Sequence, residues 1–567
     1  MEDTASYPTI EPSNFDLIVV GTGLPESILA AAASAAGKSV LHIDSNPYYG
    51  SHFASLNLQE FTTFLQSQSQ SPNNTPAEIQ PDSSSEFETV PLATRPMYSS
   101  VEIISNSPEV LDNSRKFSLE LVGPKVLFCA DEMMNLIVKT DIHQYMGAFQ
   151  SIDGSYVFDG SNGCLRNVPD SRSAIFKDKS LSLAEKNQLM RFFKLVQGHF
   201  QSDGGEESKR ISEKDLESPF VEFLSQKIGL SEKLKSIILY AIAMADYDQE
   251  NKEVCKVVLK TKEGIDRLIL YHSSIGRFPD APGAMIYPIY GQGVLLESFC
   301  RRAAVKGCTY VLRMPVVGLL VHKDDTSYKG VKLASGQELF GHQLILAPSF
   351  ILSPGLAHSS PGMQGVKVKV TRGICITKNP LKPEVANCLV FYPPQSLCPD
   401  QLTSVRVLQL SSNVKSSPSG MFVIYLSAVC DDVLQGKKIL NVAINTLFSH
   451  PASADNKDSL VDHQNENTEV KQKPTLLWCA TYIQELTTDV SDGFNSTTMP
   501  DADVQYNNLL DATRKLFQEM YPGEEFFPQS VSPEEEAVDD GEPELESKSS
   551  ETLESIDNGA SGIEYTS

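Results

Sequence analysis

Gly21, Gly23, Glu26 and Asp44 are the residues whose types and spacing come closest to a recognisable chemistry. Two glycines one residue apart, then a helix, then an acid about 20 residues on, form a cradle for a dinucleotide. The glycines let the backbone approach a pyrophosphate, the helix start offers N–H groups to its oxygens, and the acid takes a ribose hydroxyl. The pattern places its third glycine at position 26, where this chain has glutamate. A carboxylate at a helix start accepts those same N–H groups and is stabilised by the helix dipole. It therefore occupies the phosphate position and repels what belongs there. Pro25 removes one more N–H while suiting a first helical turn. The alternative is Glu26 turned to solvent beside a bound cofactor. The expectation is a dinucleotide-type fold with a plugged site and no cofactor.

The elements that must hold these residues surround them. Phe15 to Val20 is a continuous apolar run, as expected of a strand buried on both faces. Ile28 to Ala36 is an alanine-rich helix that can lie close to a sheet, and Gly37 stops it. Ser39 to Ile43 makes a second short strand ending at Asp44. Strand, glycine loop, helix, strand and acid make a βαβ unit, which predicts an α/β fold of Rossmann, flavoprotein-like type.

Little else in the chain looks catalytic. It has no HExxH, GxSxG or P-loop, and its ten cysteines are scattered singly with no metal-ligand spacing, so no metal is expected. "LILAPSF", Leu344 to Phe350, lacks the glycine of a second cofactor contact, and "SDGFN", Ser491 to Asn495, has that motif's order reversed. Scattered cysteines and the absence of a leader-like start predict a reducing, cytosolic setting. No apolar run reaches the roughly 18–20 residues that span a bilayer. The net charge of −25 disfavours nucleic acid. Much of it sits after Val531, where twelve acids face one lysine in a segment too polar to bury a core, so a disordered acidic tail is expected.

The pattern divides the body into two domains. Residues 1–112 and 286–522 form a discontinuous first domain, with loop insertions at 66–110 and 449–473. Residues 113–285 form an inserted all-helical domain, and 523–567 the tail. Ser182-x-x-Glu185 is a capping box ahead of Leu189, Phe192, Phe193 and Val196 at helical spacing. Ser231–Ala245 and Lys262–Ile275 are further helices, nearly apolar, which either fill a core or line an apolar cavity.

Three stretches then carry a resemblance: "GTGLPESILAAAASAAGKSVLHIDSNPYYG", "YPIYGQGVLLESFCRRAAVKGCTYVLR" and "VPDSRSAIFKDKSLSLAEKNQLMRFFKLV". Together they resemble the Rab escort protein branch of the Rab GDP-dissociation inhibitor superfamily, with wording closest to plant members. The resemblance runs from about residue 14 to 350 and more weakly to about 520. It implies the GDI fold, a flavoprotein-like fold without flavin. It also implies an accessory protein with no catalysis of its own. Such a protein binds new GDP-bound Rab GTPases and presents them to the Rab geranylgeranyltransferase α/β heterodimer. It then shelters the geranylgeranyl lipid and delivers the product to membranes, moving between the cytosol and transient membrane contact.

By residue, the resemblance implies a Rab-binding platform at Tyr49, Val294, Arg301, Tyr310 and Val311. Val294 replaces a family glutamate, and Val311 a methionine. The lost carboxylate weakens one charged contact unless Glu297 substitutes. The plainer alternative makes Tyr310 and Val311 strand residues and Arg301 a solvated charge. Phe176 matches an escort-specific contact to the transferase, and Asn187 stands where that contact has its arginine. Ile374 and Ile376 are assigned to the Rab C-terminal linker. A generic GDP-dissociation inhibitor and, more distantly, an FAD-dependent oxidoreductase remain alternatives.

Overall fold

A strand covered on both faces fixes the centre of the first sheet. In the computed structural model, which describes residues 7–69, 86–169, 172–201, 210–324, 327–352, 368–449, 473–486 and 495–528, that strand is β1 (Asn14–Val20). Its Leu17, Ile18 and Val19 are wholly buried, each contributing about 1.5–3 kcal/mol of apolar burial. The strands β2 (Val40–Ile43), β3 (Phe87–Thr94), β4 (Tyr98–Ser105), β5 (Gly154–Asp159) and β6 (Cys164–Asn167) follow. Then come β7 (Thr309–Val311), β8 (Val316–His322), β9 (Tyr328–Leu333), β10 (Glu338–Leu346) and β11 (Phe350–Leu352). The last are β12 (Val368–Thr377), β13 (Cys388–Tyr392), β14 (Val405–Leu410), β15 (Phe422–Cys430), β16 (Leu476–Leu486) and β17 (Asn495–Ser496).

The first sheet runs β7-β2-β1-β10-β9-β8-β3-β11, with β17 attached to β10. Its β7, β2, β1 and β10 are mutually parallel, the doubly covered part where a βαβ unit must lie. Helix α1 (Leu24–Ala35) crosses between β1 and β2, and its Leu24 to Ser34 are all buried. Its run of alanines lets it sit flat against β1 and against a later helix, Gly293–Val305. The left-handed Gly37 (φ +77°) ends it, as expected.

The second sheet corrects the domain reading. It runs β6-β5-β13-β14-β15-β12-β16-β4 and draws strands from both expected domains. The segment 113–285 is therefore not all helical, because β5 and β6 belong to this sheet and β5 pairs in parallel with β13. Apart from a helix at Glu132–Lys139, its main helices lie further along, in α2 (Arg172–Lys177), α3 (Leu183–Gln201) and α4 (Thr261–Ser274). Between α3 and α4, a short helix at Glu232–Ser236 widens into π-helical turns at Ile237–Ile242, all of them buried. The expected loop insertion at 66–110 is also narrower than read. A helix runs over Leu58–Ser69, and residues 87–105 form β3 and β4, one in each sheet. Short polar residues with β-branched neighbours obscured that pairing. The insertion at 449–473 closes on itself, since Ser449 bridges Thr475 and its N–H donates to the Pro474 carbonyl at 2.9 Å; residues 450–472 lie outside the described residues.

The compact unit ends at Phe527 rather than 522. Helix α5 (Gly293–Val305), helix α6 (Val433–Leu447) and helix α7 (Asn507–Met520) complete it. Phe527, 2% exposed, packs 6.2 Å from the Phe299 ring. The acidic tail beyond 528 lies outside the described residues. Two buried arginines tie the segment after β17 to the sheets. Arg372 on β12 donates to the carbonyls of Val122, Gly123 and Asp501 at 2.7–2.9 Å, and Arg406 on β14 to that of Ala502 at 2.8 Å. Arg406 also pairs with Asp246 at 2.8 Å. These carbonyls accept guanidinium N–H groups that burial has cut off from water.

Candidate functional site

The glycine loop is closed by its neighbours. Gly21 adopts φ +105°, and the Ala347 methyl stands 2.5 Å from where a Cβ on Gly21 would be. Its N–H donates to the Ile43 carbonyl at 2.8 Å, and Ala347 N–H to the Val20 carbonyl at 2.9 Å. The ends of β2 and β10 thus fold over the turn. Glu26 is 1% exposed, so it does not turn to solvent. One carboxyl oxygen accepts the Thr497 hydroxyl, and the other lies against Gly23 in the space a side chain there would need. Burial pushes its pKa up to about 7, with the Asp44 carboxylate adding in the same direction; the Thr497 hydroxyl and its own backbone N–H oppose. The expected capture of several helix-start N–H groups reduces to that single one. The plug is a carboxyl close to half-protonated at neutral pH.

Asp44 is also fully committed. It accepts Thr22 N–H (2.9 Å), the Thr22 hydroxyl (2.7 Å) and the Ser51 hydroxyl (3.1 Å) on one oxygen. Its other oxygen takes the N–H and side-chain amide of Asn46 at 2.8 and 2.9 Å. A cleft of about 410 Å³ remains beside Gly21, Asp44, Asn46, Arg95 and Ser349. With a carboxyl in the pyrophosphate position and the ribose acid saturated, these residues do not fit a dinucleotide.

The platform residues gather at the open edge of the first sheet. His42 on β2 donates through Nε2 to the Gly21 carbonyl at 2.6 Å, and burial lowers its pKa to about 4. Its ring lies 4.8 Å from Tyr310 on β7, and Tyr49 meets Tyr310 edge-on at 5.7 Å. Tyr310 is half-buried, with its hydroxyl turned away from solvent. Its buried hydroxyl faces the Cys300 and Cys308 thiols, and it works as a floor for Tyr49. Val311 is half-buried against the apolar layer under β1, and its carbonyl accepts Asp44 N–H at 2.9 Å. Helix α5 buries Leu295, Leu296 and Phe299, leaving Val294, Glu297 and Arg301 on one outward stripe at steps of three and four residues.

A second exposed region lies on α2 and α3. Phe176 is 57% exposed, and its carbonyl accepts Lys186 Nζ at 2.8 Å, which fixes the end of α2 against α3. The capping box forms: Ser182 N–H donates to Glu185 Oε2 (2.9 Å) and Glu185 N–H to Ser182 Oγ (3.2 Å). Asn187 is exposed on the same helix face as Leu183, Arg191 and Lys194. Between α3 and α4 lies a groove of about 350 Å³, walled by Met190, Phe193, Val196, Leu268, Tyr271 and Ile275. It answers the question left by the apolar helices. Those at 232–242 are core, while α3 and α4 line a cavity.

One assignment fails. Ile374 and Ile376 are 1% and 0% exposed inside β12, between β15 and β16, and cannot meet an incoming peptide. A short β-branched run reads alike for a surface and a central strand, and the tertiary position decides. Thr497, Thr22 and Ser51, which complete the plug and saturate Asp44, had no signal in the sequence, since Thr497 is 471 residues from Glu26. Among the described residues no cluster of His, Cys, Asp or Glu could hold a metal, and no helix is long and apolar enough to cross a membrane.

A family model described as GDP dissociation inhibitor matches residues 11–91 and 86–450. The chain is 51% identical to Rab escort protein 1 of Arabidopsis thaliana, over 96% of this chain and 100% of that protein. It is 28% identical to the Rab proteins geranylgeranyltransferase component A of Drosophila melanogaster, over 94% and 93%. The solved structure of a Rab GDI from Plasmodium falciparum superposes with a TM-score of 0.62 at 20% identity, covering 90% of this chain and 99% of that one. That structure supports the fold.

Proposed function

The chain belongs to the GDP dissociation inhibitor family, and we propose that within it this protein is a Rab escort protein. It holds a newly made, GDP-bound Rab GTPase at the Tyr49–α5 surface and presents the GTPase C-terminus to Rab geranylgeranyltransferase. It then carries the lipidated product to a membrane, working from the cytosol and catalysing no bond change itself. The observation that carries this reading over a generic inhibitor is Phe176, a large apolar side chain left 57% exposed at a rigid helix junction. Aromatic anchors of this kind fill pockets on partners and dominate binding energy. The Arabidopsis relative's name points the same way.

Asn187 lacks a guanidinium, but Arg191 lies one turn further along the same exposed face of α3. The apolar groove between α3 and α4 is the shelter proposed for the lipid. Each prenyl CH₂ it covers is worth about 0.8 kcal/mol against water. A flavin oxidase is disfavoured by the Glu26 carboxyl and the saturated Asp44; yellow purified protein with flavin absorption would reject that argument.

The deciding experiment is geranylgeranyl incorporation into a GDP-loaded Rab by purified transferase, with and without this chain. Strong dependence on the chain is expected. No stimulation, with a known escort protein active on the same Rab and transferase, would move the reading to an inhibitor-type carrier.

A further inference from the structure

The surface formed by α2 and α3 is basic, on a chain whose net charge is −25. Lys177, Lys179, Arg191 and Lys194 are exposed there, and none makes a hydrogen bond or ion pair among the described residues. The acids between Lys177 and Lys194 are held by their own turns. Asp178 accepts Ser180 N–H at 2.7 Å, and Glu185 is taken by the capping box and by the Ser231 hydroxyl at 3.1 Å. Lys186 and Lys233 add two cations, donating to the neutral backbone carbonyls of Phe176 and Ser180. Phe176 and Leu183 stand among these charges, 57% and 72% exposed. Lys194 also lines the apolar groove between α3 and α4, so the basic face runs into the groove wall.

Cations on flexible stems around exposed apolar side chains fit an anionic lipid surface, where headgroups take the charges and the apolar groups enter the acyl boundary. A prenyl chain leaving the groove passes into a bilayer, so the groove has to lie against one. The surface continuous with it is this basic face. We propose that the α2–α3 face docks this protein on an anionic phospholipid membrane, turning the groove toward the bilayer for release of the prenyl chain. The inference rests on the reading that the groove shelters the lipid and that Phe176 meets the transferase. It adds an order of events: one face serves two partners in turn, so the transferase leaves before the membrane is met. The rest of the surface carries the excess acid and is repelled by the same lipids, which sets the orientation.

The test is co-flotation of the full chain with phosphatidylcholine vesicles, with and without phosphatidylserine. Each Lys or Arg brought to an anionic surface strengthens binding about fivefold. Binding should therefore require phosphatidylserine and weaken with salt. It should fall about a hundredfold or more when Lys177→Gln, Lys179→Gln, Arg191→Gln and Lys194→Gln are combined. All four side chains are exposed, so the melting temperature should not change. A control combining Arg115→Gln, Lys116→Gln and Lys415→Gln, exposed cations elsewhere, should bind as the wild type does. Adding transferase to the chain with bound, unprenylated Rab should release it from the vesicles. Binding that ignores phosphatidylserine, survives the fourfold substitution or falls equally in the control overturns the inference; vesicle binding that transferase leaves unchanged overturns the shared use of the face. Geranylgeranylation of Rab in solution is measured on the same preparation. If it depends on the chain while vesicle binding fails, the escort reading stands without this inference. If it is absent while a known escort protein supports it, that reading falls instead.

Discussion

Replacing Glu26 by glutamine should change how the stability of this protein depends on pH. In the folded chain the buried carboxyl titrates at about 7, against 4.5 for its ordinary value. Between those values the folded state holds a proton that the unfolded state has released. The contribution of Glu26 is therefore complete below pH 4.5 and is lost as pH rises through about 7. The distance between the two values corresponds to roughly 3 kcal/mol lost by pH 8. Glutamine keeps the shape and resembles the protonated acid. Its amide can donate to Thr497 Oγ1, while the Thr497 hydroxyl turns to the Leu346 carbonyl, 3.4 Å away. Urea unfolding of both proteins at pH 5, 6, 7 and 8 makes the comparison. Glu120 and Asp131, also pushed up to about 7 by burial, titrate in both and cancel. The two should agree within about 1 kcal/mol at pH 5, with the variant ahead by roughly 2–3 kcal/mol at pH 8. A gap that stays constant with pH, or a variant weaker at pH 8, would refute the account of a buried, strained plug.

Four further outcomes are expected. Phe176→Ala should leave Rab binding and melting unchanged, because the ring is mostly exposed, while transferase recruitment measured by pull-down of the ternary complex drops about thirtyfold, the effect of removing an anchor worth about 2 kcal/mol. Asn187→Arg should raise affinity for the transferase in the absence of Rab by about tenfold, read by titration calorimetry; no change would mean that Arg191 already fills that role. Met190→Trp should obstruct the groove between α3 and α4 and abolish extraction of prenylated Rab from vesicles, with binding of unprenylated Rab intact. Arg372→Met should cost about 3–5 kcal/mol in unfolding experiments, since it strands the carbonyls of Val122, Gly123 and Asp501 together with Gln484.

The βαβ unit, the stop at Gly37, the capping box at Ser182 and the carboxyl in the phosphate position were all set by the order of residues along the chain. Each depends on partners within about 25 residues, where periodicity and turn chemistry decide the backbone. Phe176 and Asn187 were marked by the resemblance rather than by any local pattern, and the fold leaves both exposed. Tertiary structure alone decided the second sheet, because its strands come from residues 98–105, 154–167 and 368–486 and pair across separations that no local pattern records. It turned the Tyr310 hydroxyl inward and buried Ile374 and Ile376, since strand residues of one type face either water or core according to what packs on them. It also supplied Thr497, carried by a strand end hundreds of residues away, without which Glu26 would be a buried acid lacking any side-chain partner. The sequence determined that a dinucleotide fold had lost its phosphate site; long-range packing decided what holds the plug in place and which side chains remain free to meet a partner.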